Sequence, residues 1–137
     1  MRILVCGSRY WKNREFLYAV LDQIELDDIE AIIEGEAPGA DTMAREWAES
    51  RYIGDRVLRF PADWNQFGRS AGPIRNKQML MEGKPTLVIA FSEDLPNSRG
   101  TKNMLLQSHR AKVQTFTPWD EPEVWTDYVI SLAENSV

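Results

Sequence analysis

The sequence predicts an α/β protein in which a mainly parallel sheet of five strands lies between helices, a Rossmann-like three-layer αβα sandwich. Two observations predict this fold. Short apolar runs alternate with amphipathic helical patterns in the order βαβαβαβαβα along the 137 residues. The segments between successive runs are long enough for crossover helices, which join parallel strands within one sheet and cover both of its faces.

The strands are predicted from β-branched and aliphatic runs. Gly7 and Gly35 end the first two, and Pro61 ends the third. The fourth run, with Leu87 to Ala90, is the most apolar and is typical of a strand at the centre of a sheet. The predicted strands are Arg2–Cys6, Ile29–Glu34, Val57–Phe60, Thr86–Phe91 and Lys112–Phe116.

The helices are predicted from apolar residues at helical spacing. We expect Asn13 to cap the first helix, whose apolar face carries Phe16, Leu17, Val20, Leu21 and Ile24. Gly72-Pro73 is expected to open the third helix, and Gly83 to cap it. Residues 62–71 are predicted to form a loop. The other helices are expected at about Gly39–Tyr52, from a cap at Ser98 to Arg110, and from about Pro122.

Composition predicts one soluble domain, residues 1–137, in which 118–137 form a C-terminal helix. Hydrophobic residues make up 43% of the chain and charged residues 27%. A lone Cys6 excludes an intrachain disulfide, and no apolar run is long enough to span a membrane. The first residues leave no room for a signal peptide before Gly7, so we expect a cytoplasmic location and no membrane partner.

The net charge of −5 disfavours DNA as a partner, because DNA-binding domains usually carry a basic surface. A small phosphorylated ligand remains compatible with it, since local basic groups and backbone amides hold a phosphate on an acidic protein. In parallel sheets, ligands bind beyond the carboxyl ends of the strands. The candidate functional residues are therefore those that directly follow each strand.

Two of these loops come early in the chain. Gly7-Ser8-Arg9 offers a hydroxyl and an arginine fork for phosphate, or is an ordinary turn with an exposed arginine. In residues 34–41, two glycines four apart lead into a helix, which is an anion-binding geometry. Glu34 and Glu36 suit ribose hydroxyls or a base edge better than phosphate, or point to solvent; Asp41 alternatively complements the helix dipole.

The later loops offer a phosphate grip. Arg75 and Asn76 follow the helix start at Gly72, so a positive fork and a helix dipole coincide, unless Arg75 is merely solvated. Trp64 and Phe67 either stack on a base or fill the core. The predicted ligand-binding residues are Gly7, Ser8, Arg9, Glu34, Gly35, Gly39, Ala40, Asp41, Gly72, Arg75, Asn76, Ser98, Gly100 and Thr101.

Few residues are candidates for catalysis. Glu36 and Asp41 are the candidates for a catalytic carboxylate. A single histidine, His109, excludes a histidine triad or a multi-histidine metal site, and its place late in a helix favours a structural role. Cys6, inside a strand, is expected to fill the core. We expect no metal and no cofactor.

Taken together, Gly7-Ser8-Arg9, the Pro38-Gly39-Ala40-Asp41 loop, Gly72-Pro73-Ile74-Arg75-Asn76 with Met79, and Gly100-Thr101 resemble a known group. They are similar to the small bacterial and phage proteins of the YspA-related branch of the SLOG superfamily, over residues 1–117. The resemblance implies a Rossmann-like fold and a nucleotide or nucleotide-derived ligand. Superfamily relatives commonly pair, which leaves a homodimer open; Trp119, Trp125 and Tyr128 then serve a partner or only cap the core.

Relatives of that branch include the LOG phosphoribohydrolases and the DNA-processing protein DprA. The LOG signature is Pro-Gly-Gly-x-Gly-Thr-x-Glu-Glu, with a catalytic glutamate and an arginine on a neighbouring helix. Arg75 is similar in place to that arginine, and Gly100-Thr101 to the Gly-Thr. Asn97-Ser98 replaces Gly-Gly, and Lys102, Asn103 and Met104 follow, so both glutamates are absent.

Three functions compete on these observations. The leading prediction is a module that senses or sequesters a nucleotide-like ligand without chemistry. The second is an N-glycosidase acting on a nucleotide or NAD-like substrate, whose carboxylate comes from Glu34, Glu36 or Asp41 because its transition state is cationic. The third is a DNA-handling protein, which the net charge disfavours.

Overall fold

A computed structural model of the chain describes residues 1–118 and confirms the predicted α/β architecture. Its strands are β1 (Arg2–Gly7), β2 (Ala31–Glu34), β3 (Val57–Arg59), β4 (Leu87–Phe91) and β5 (Gln114–Phe116). Its α-helices are α1 (Arg14–Leu21), α2 (Ala40–Ser50), α3 (Trp64–Phe67), α4 (Ala71–Gln78) and α5 (Arg99–Arg110). The helix predicted from about Pro122 lies outside the described residues.

The five strands form one sheet in the order β3-β2-β1-β4-β5, and every neighbouring pair is parallel. On one side β1 pairs with β2, with Leu4 opposite Ile33. On the other side β1 pairs with β4, with Leu4 opposite Val88. The chain therefore reverses its direction across the sheet at β1. Loops diverge at such a switch point, which leaves a crevice beyond the carboxyl end of β1.

Successive side chains of β1 point to opposite faces of the sheet, so the core consists of two layers. Ile3 and Val5 are buried on one face, in a cluster with residues of α1 and α2 such as Leu17 and Trp47. Leu4 and Cys6 are buried on the other face, in a cluster with Met79 and, from α5, Met104. Since successive side chains of a strand point to opposite faces, both faces of the sheet are covered, as the near-continuous apolar strands predict.

Some predicted boundaries are wrong for identifiable reasons. Residues 62–71 are not a plain loop: α3 forms there because the carboxylate of Asp63 accepts a hydrogen bond from the Gln66 N–H at 3.1 Å. A turn of 3₁₀-helix, Gly68–Ser70, then leads into α4. Gly83 does not cap that helix. A π-helical turn, Met79–Gly83, extends it, and Lys84 takes the left-handed conformation that ends it.

The first helix begins as predicted. The side-chain oxygen of Asn13 accepts a hydrogen bond from the Phe16 N–H at 3.0 Å, which satisfies one of the N–H groups that lack partners inside the helix. Leu17, Val20 and Leu21 are buried on the predicted face. Ile24 is buried too, but beyond the end of the helix.

Candidate functional site

A cleft of about 490 Å³ opens at the carboxyl edge of the sheet, above β1. Segments that the sequence predicts to converge form its walls: the loop after β1, the loop after β2, the start of α4 and the start of α5. The principal lining residues are Gly7, Ser8, Arg9, Tyr10, Ala37, Asp41, Trp64, Arg69, Gly72, Arg75, Asn76, Ser98, Arg99, Gly100, Thr101 and Asn103.

Ten of the fourteen predicted ligand-binding residues line this cleft; the other four are Glu34, Gly35, Gly39 and Ala40. Glu34 and Ala40 are fully buried. Gly39 lines a separate shallow groove of about 440 Å³, together with Glu36, one of the two catalytic candidates. Glu36 also forms an ion pair with Arg59 at 3.5 Å, so its carboxylate is directed away from the cleft.

The loop after β1 is held by its own hydrogen bonds. A Cβ atom on Gly7 would lie 2.0 Å from the carbonyl oxygen of Phe91, so the glycine lets β4 approach β1. The Ser8 hydroxyl donates to Glu93 at 2.8 Å and accepts from the Tyr10 N–H at 3.0 Å. Both residues therefore shape the loop, whereas the Arg9 side chain forms no hydrogen bond or ion pair with any residue in 1–118.

Arg75 reaches from α4 to the end of β2. Its Nη1 donates to the carbonyl of Gly35 at 2.5 Å, and its Nε donates to Oδ1 of Asn76 at 3.1 Å. A Cβ atom on Gly35 would lie 2.4 Å from that Nη1, so Gly35 is the residue that makes room for the guanidinium. Two of the five guanidinium N–H donors are used in this way, which leaves three for a ligand in the cleft.

Asp41 folds the loop after β2 back onto itself. Its Oδ2 accepts from the N–H groups of Gly35 at 3.0 Å and Ala37 at 3.3 Å. Burial raises the pKa of Asp41 to about 6, although the Arg75 charge and these N–H groups pull it down. The Glu34 carboxylate accepts from the Glu36 N–H at 2.9 Å; burial, followed by the charge of Asp41, raises its pKa to about 7.

The cleft is strongly cationic. Arg9, Arg69, Arg75 and Arg99 line it, and none of them forms an ion pair among residues 1–118, where all ion pairs use arginines outside the cleft. Within residues 1–118, Asp41 is the one carboxylate that lines the cleft. The sequence reasoning did not select Arg69 and Arg99, although Arg69 stands two residues before α4 and Arg99 is the first residue of α5, both at the ligand edge.

Two aromatic side chains stand at the cleft with much of their surface exposed. Trp64, at the start of α3, is 55% exposed and Tyr10 is 72% exposed, and both line the cleft. Phe67 is 40% exposed and is not a lining residue. Of the two possibilities for Trp64 and Phe67, the core-filling one is therefore wrong, and Trp64 is positioned to stack on a planar ligand group.

The first turn of α5 closes the cleft on the β4 side. Ser98 precedes the helix, but its hydroxyl does not cap it; that hydroxyl donates to the carbonyl of Asp94 at 2.9 Å and lies 2.7 Å from the Ser92 hydroxyl. Asn76 joins α4 to α5, since its Nδ2 donates to the Gly100 carbonyl at 3.2 Å and to Asn103 at 3.1 Å. The amide of Asn76 is thus occupied within the protein.

The remaining candidates lie where the sequence predicts. Cys6 is buried in β1, and burial raises the pKa of its thiol. His109 is exposed in the last turn of α5, away from the cleft. Within residues 1–118, no group of three or more histidine, cysteine and acidic side chains is arranged to hold a metal ion. The same residues contain no helix both long and apolar enough to cross a bilayer.

The fold and this cleft define a class: a Rossmann-like α/β protein with an arginine-lined crevice at the switch point of its sheet. The family described as YspA, cpYpsA-related SLOG matches residues 1–67. The chain is also 30% identical over 128 residues to the Gene 61 protein of Mycobacterium phage D29, an alignment covering 88% of this chain and 98% of the phage protein. The chain belongs to the YspA-related SLOG family.

A solved structure supports the same fold. DNA processing protein A (DprA) from Streptococcus pneumoniae superposes with a TM-score of 0.67 over 98% of this chain, at 17% sequence identity. The chain covers 56% of the DprA chain, about half its length. Membership of the SLOG family indicates binding or processing of a nucleotide-related ligand.

Proposed function

We propose that the protein binds a nucleotide or nucleotide-derived small ligand in the cleft at the switch point, and that it senses or sequesters this ligand without cleaving it. The observation that carries the proposal is the set of four lining arginines without a carboxylate partner among residues 1–118. Arginines left unpaired in a crevice are suited to phosphate oxygens, which they bind in bidentate fashion.

Different lining residues are suited to the phosphate and to the base of the ligand. Arg75 is the main phosphate ligand, because its guanidinium is already oriented by two hydrogen bonds and loses little freedom on binding. Trp64 and Tyr10 offer exposed aromatic faces on which a nucleobase stacks. Asp41, at the floor of the cleft, suits a sugar hydroxyl better than a phosphate because its carboxylate is a hydrogen-bond acceptor.

The alternative function is an N-glycosidase, for which Asp41 is the residue that could supply the catalytic carboxylate. Such chemistry needs a carboxylate near the anomeric carbon. Glu34 is buried and Glu36 belongs to the other groove, so Asp41 is the remaining candidate. Asn103 lines the cleft in the stretch where the LOG signature carries glutamates, and an amide does not stabilise a cation as a carboxylate does. Binding without turnover is therefore preferred.

Binding is tested by isothermal titration calorimetry with ribonucleotides carrying each of the four bases. Arg75→Ala is expected to weaken binding of a phosphorylated ligand about tenfold to a hundredfold, since a hydrogen bond to a charged group contributes about 1.5–3 kcal/mol. Arg110→Ala is the matched control, because Arg110 is exposed at the end of α5 and away from the cleft. Unchanged affinity in Arg75→Ala would show that Arg75 serves the protein's own contacts to Gly35 and Asn76 and does not bind the phosphate.

Turnover is tested by incubating the protein with nucleoside monophosphates and NAD and separating free base by chromatography. We expect none, or a rate far below about 1 per second, the low end of ordinary enzyme rates. Turnover at ordinary rates that is lost in Asp41→Asn but kept in Asn103→Ala would replace the binding proposal with the N-glycosidase. Glu36→Gln is the control, since that carboxylate faces the other groove.

A further inference from the structure

We infer that the ligand carries two adjacent phosphoryl groups, a diphosphate, held by two neighbouring anion subsites in the cleft. The inference rests on the proposed function, because it names the chemical class of the ligand that the cleft takes. The first subsite is the Arg75 guanidinium at the β2 side. The second is the first turn of α5 at the β4 side, with Arg99 and Thr101.

The second subsite combines the first N–H groups of α5 with the side-chain hydroxyl of Thr101. The first N–H groups of a helix have no partners within it, and Ser98 does not cap those of α5, which is 12 residues long. Thr101 is 4% exposed and lines the cleft, yet its hydroxyl makes no hydrogen bond to any residue in 1–118. Because no fully buried side-chain nitrogen or oxygen among the described residues lacks a partner, the unbonded Thr101 hydroxyl is open to the cleft, where a bound ligand would be its partner.

The two subsites are separated by a single amide side chain. Asn76 Oδ1 accepts from Nε of Arg75 at 3.1 Å, and Asn76 Nδ2 donates to the Gly100 carbonyl at 3.2 Å. The guanidinium and the first turn of α5 are thereby held on either side of one residue. Such close spacing suits phosphoryl groups bridged by one oxygen, whereas phosphates of a nucleic-acid strand are separated by a sugar.

The charge of the cleft supports the same class of ligand. Its four arginines face one carboxylate, that of Asp41. A phosphate monoester carries about −1.5 to −2 charges at neutral pH, which leaves part of this positive charge unbalanced. A second phosphoryl group brings the charge of the ligand close to that of the arginines.

The test compares ligands that differ by one phosphoryl group. Calorimetry is run on the full chain with inorganic phosphate, inorganic pyrophosphate, and the mono- and diphosphates of the four common ribonucleosides. We expect each diphosphate to bind about tenfold or more tightly than the matching monophosphate, the gain of one further charge-assisted contact. Equal affinity of the wild-type protein for phosphate and pyrophosphate, and for mono- and diphosphates, would overturn the inference.

Variants then separate the two subsites. Thr101→Val and Arg99→Ala are each expected to lower diphosphate affinity several-fold while leaving the monophosphate at the Arg75 subsite little changed, whereas Arg75→Ala lowers both. Thr115→Val is the matched control, since Thr115 lies on β5 outside the cleft. If every variant changed mono- and diphosphate affinity by the same factor, one shared subsite would replace two. Because Arg99 is exposed, its variant remains informative should Thr101→Val fail to fold.

The outcomes distinguish this inference from the proposed function. Pyrophosphate binding that depends on Arg99 and Arg75, with no nucleotide bound more tightly, would support the paired subsites and overturn nucleotide recognition. If nucleotides bind but mono- and diphosphates bind with equal affinity, the proposed function would stand and the inference of a diphosphate ligand would be overturned. Absence of binding by every probe would overturn both.

Discussion

Asp41, Glu34, Gly35 and Arg75 together show how single residues position the candidate site. Two buried carboxylates, Glu34 and Asp41, fold the loop after β2 through its N–H groups. The folded loop turns the Gly35 carbonyl toward Arg75, which anchors the guanidinium at the cleft. Glu34 and Gly35, which do not line the cleft, thus help to decide the direction of an arginine that we expect the ligand to touch.

Gly35→Ala is expected to weaken binding of a phosphorylated ligand about tenfold, because the added Cβ would lie 2.4 Å from Nη1 of Arg75 and displace the guanidinium. Calorimetry with the nucleotide panel measures this. Gly54→Ala is the control: its added Cβ comes closest to the flexible side chain of Glu49, at 3.1 Å, and lies at ordinary contact distance, 3.6 Å, from the Glu49 Cα. Wild-type affinity in Gly35→Ala would show that Arg75 does not need this anchor.

Glu34→Gln is expected to stabilise the protein above neutral pH. The pKa of Glu34 is raised from 4.5 to about 7, so between these values the folded state holds more protons than the unfolded state and stability falls as pH rises. Glutamine has no charge to bury and still accepts from the Glu36 N–H. The free energy of unfolding of the variant, relative to that of wild type, should therefore rise by about 2–3 kcal/mol as the pH increases from 4 to 8.

Urea unfolding at pH 4 and pH 8 measures that gain. The exposed Glu25→Gln serves as the control, because Glu25 forms no side-chain hydrogen bond or ion pair among the described residues. A stability difference between Glu34→Gln and wild type that is the same at both pH values would contradict the burial of an ionisable Glu34.

At the scale of elements, two helices that follow neighbouring parallel strands, α1 after β1 and α5 after β4, differ in how they begin. The start of α1 is capped by Asn13, whereas that of α5 is not capped by Ser98. The capped helix buries Leu17, Val20 and Leu21 in the core on one face of the sheet, and the start of the uncapped helix lines the cleft. The uncapped start of α5 therefore has N–H groups without helical partners at the candidate site, where an anion can accept from them.

Asn13→Ala is expected to lower the free energy of unfolding by about 1 kcal/mol, the usual cost of losing an N-cap, with no effect on nucleotide affinity. Urea unfolding measures the first quantity and calorimetry the second. Asn13→Ser retains a capping oxygen and should lose much less. Equal losses in both variants would show that the asparagine acts through something other than the cap.

At the scale of the whole molecule, charge is unevenly distributed. The chain carries a net charge of −5, yet four arginines without carboxylate partners among residues 1–118 line one crevice. The acidic remainder repels an extended polyanion, while a small ligand contacts only the crevice. Shape and local charge together therefore favour a small phosphorylated molecule over a nucleic-acid strand.

The protein is accordingly expected not to bind duplex DNA at physiological salt. Fluorescence anisotropy with a labelled duplex measures this, and the nucleotide bound most tightly in calorimetry is the positive control. A dissociation constant of roughly 10⁻⁶ M or lower would mean tighter binding than is usual for non-specific contacts with DNA, and would support the DNA-handling alternative.

The sequence by itself determined the order of the elements, the parallel sheet with both faces covered, and the edge at which ligand-binding residues meet. Periodicity and breakers carry this information because burial and turn formation are local in the chain. Asn13 as a cap, Cys6 in the core and the convergence of four loops above β1 all follow from such signals.

Only the tertiary structure decided which loop side chains face the cleft. Glu36 and Arg75 are both charged residues near a helix start, yet one belongs to a separate groove and the other to the cleft. Two long-range contacts separate them: the ion pair of Glu36 with Arg59, and the hydrogen bond from Arg75 to Gly35, 40 residues apart in the chain. The direction of a loop side chain depends on such long-range partners, and spacing along a sequence does not encode them.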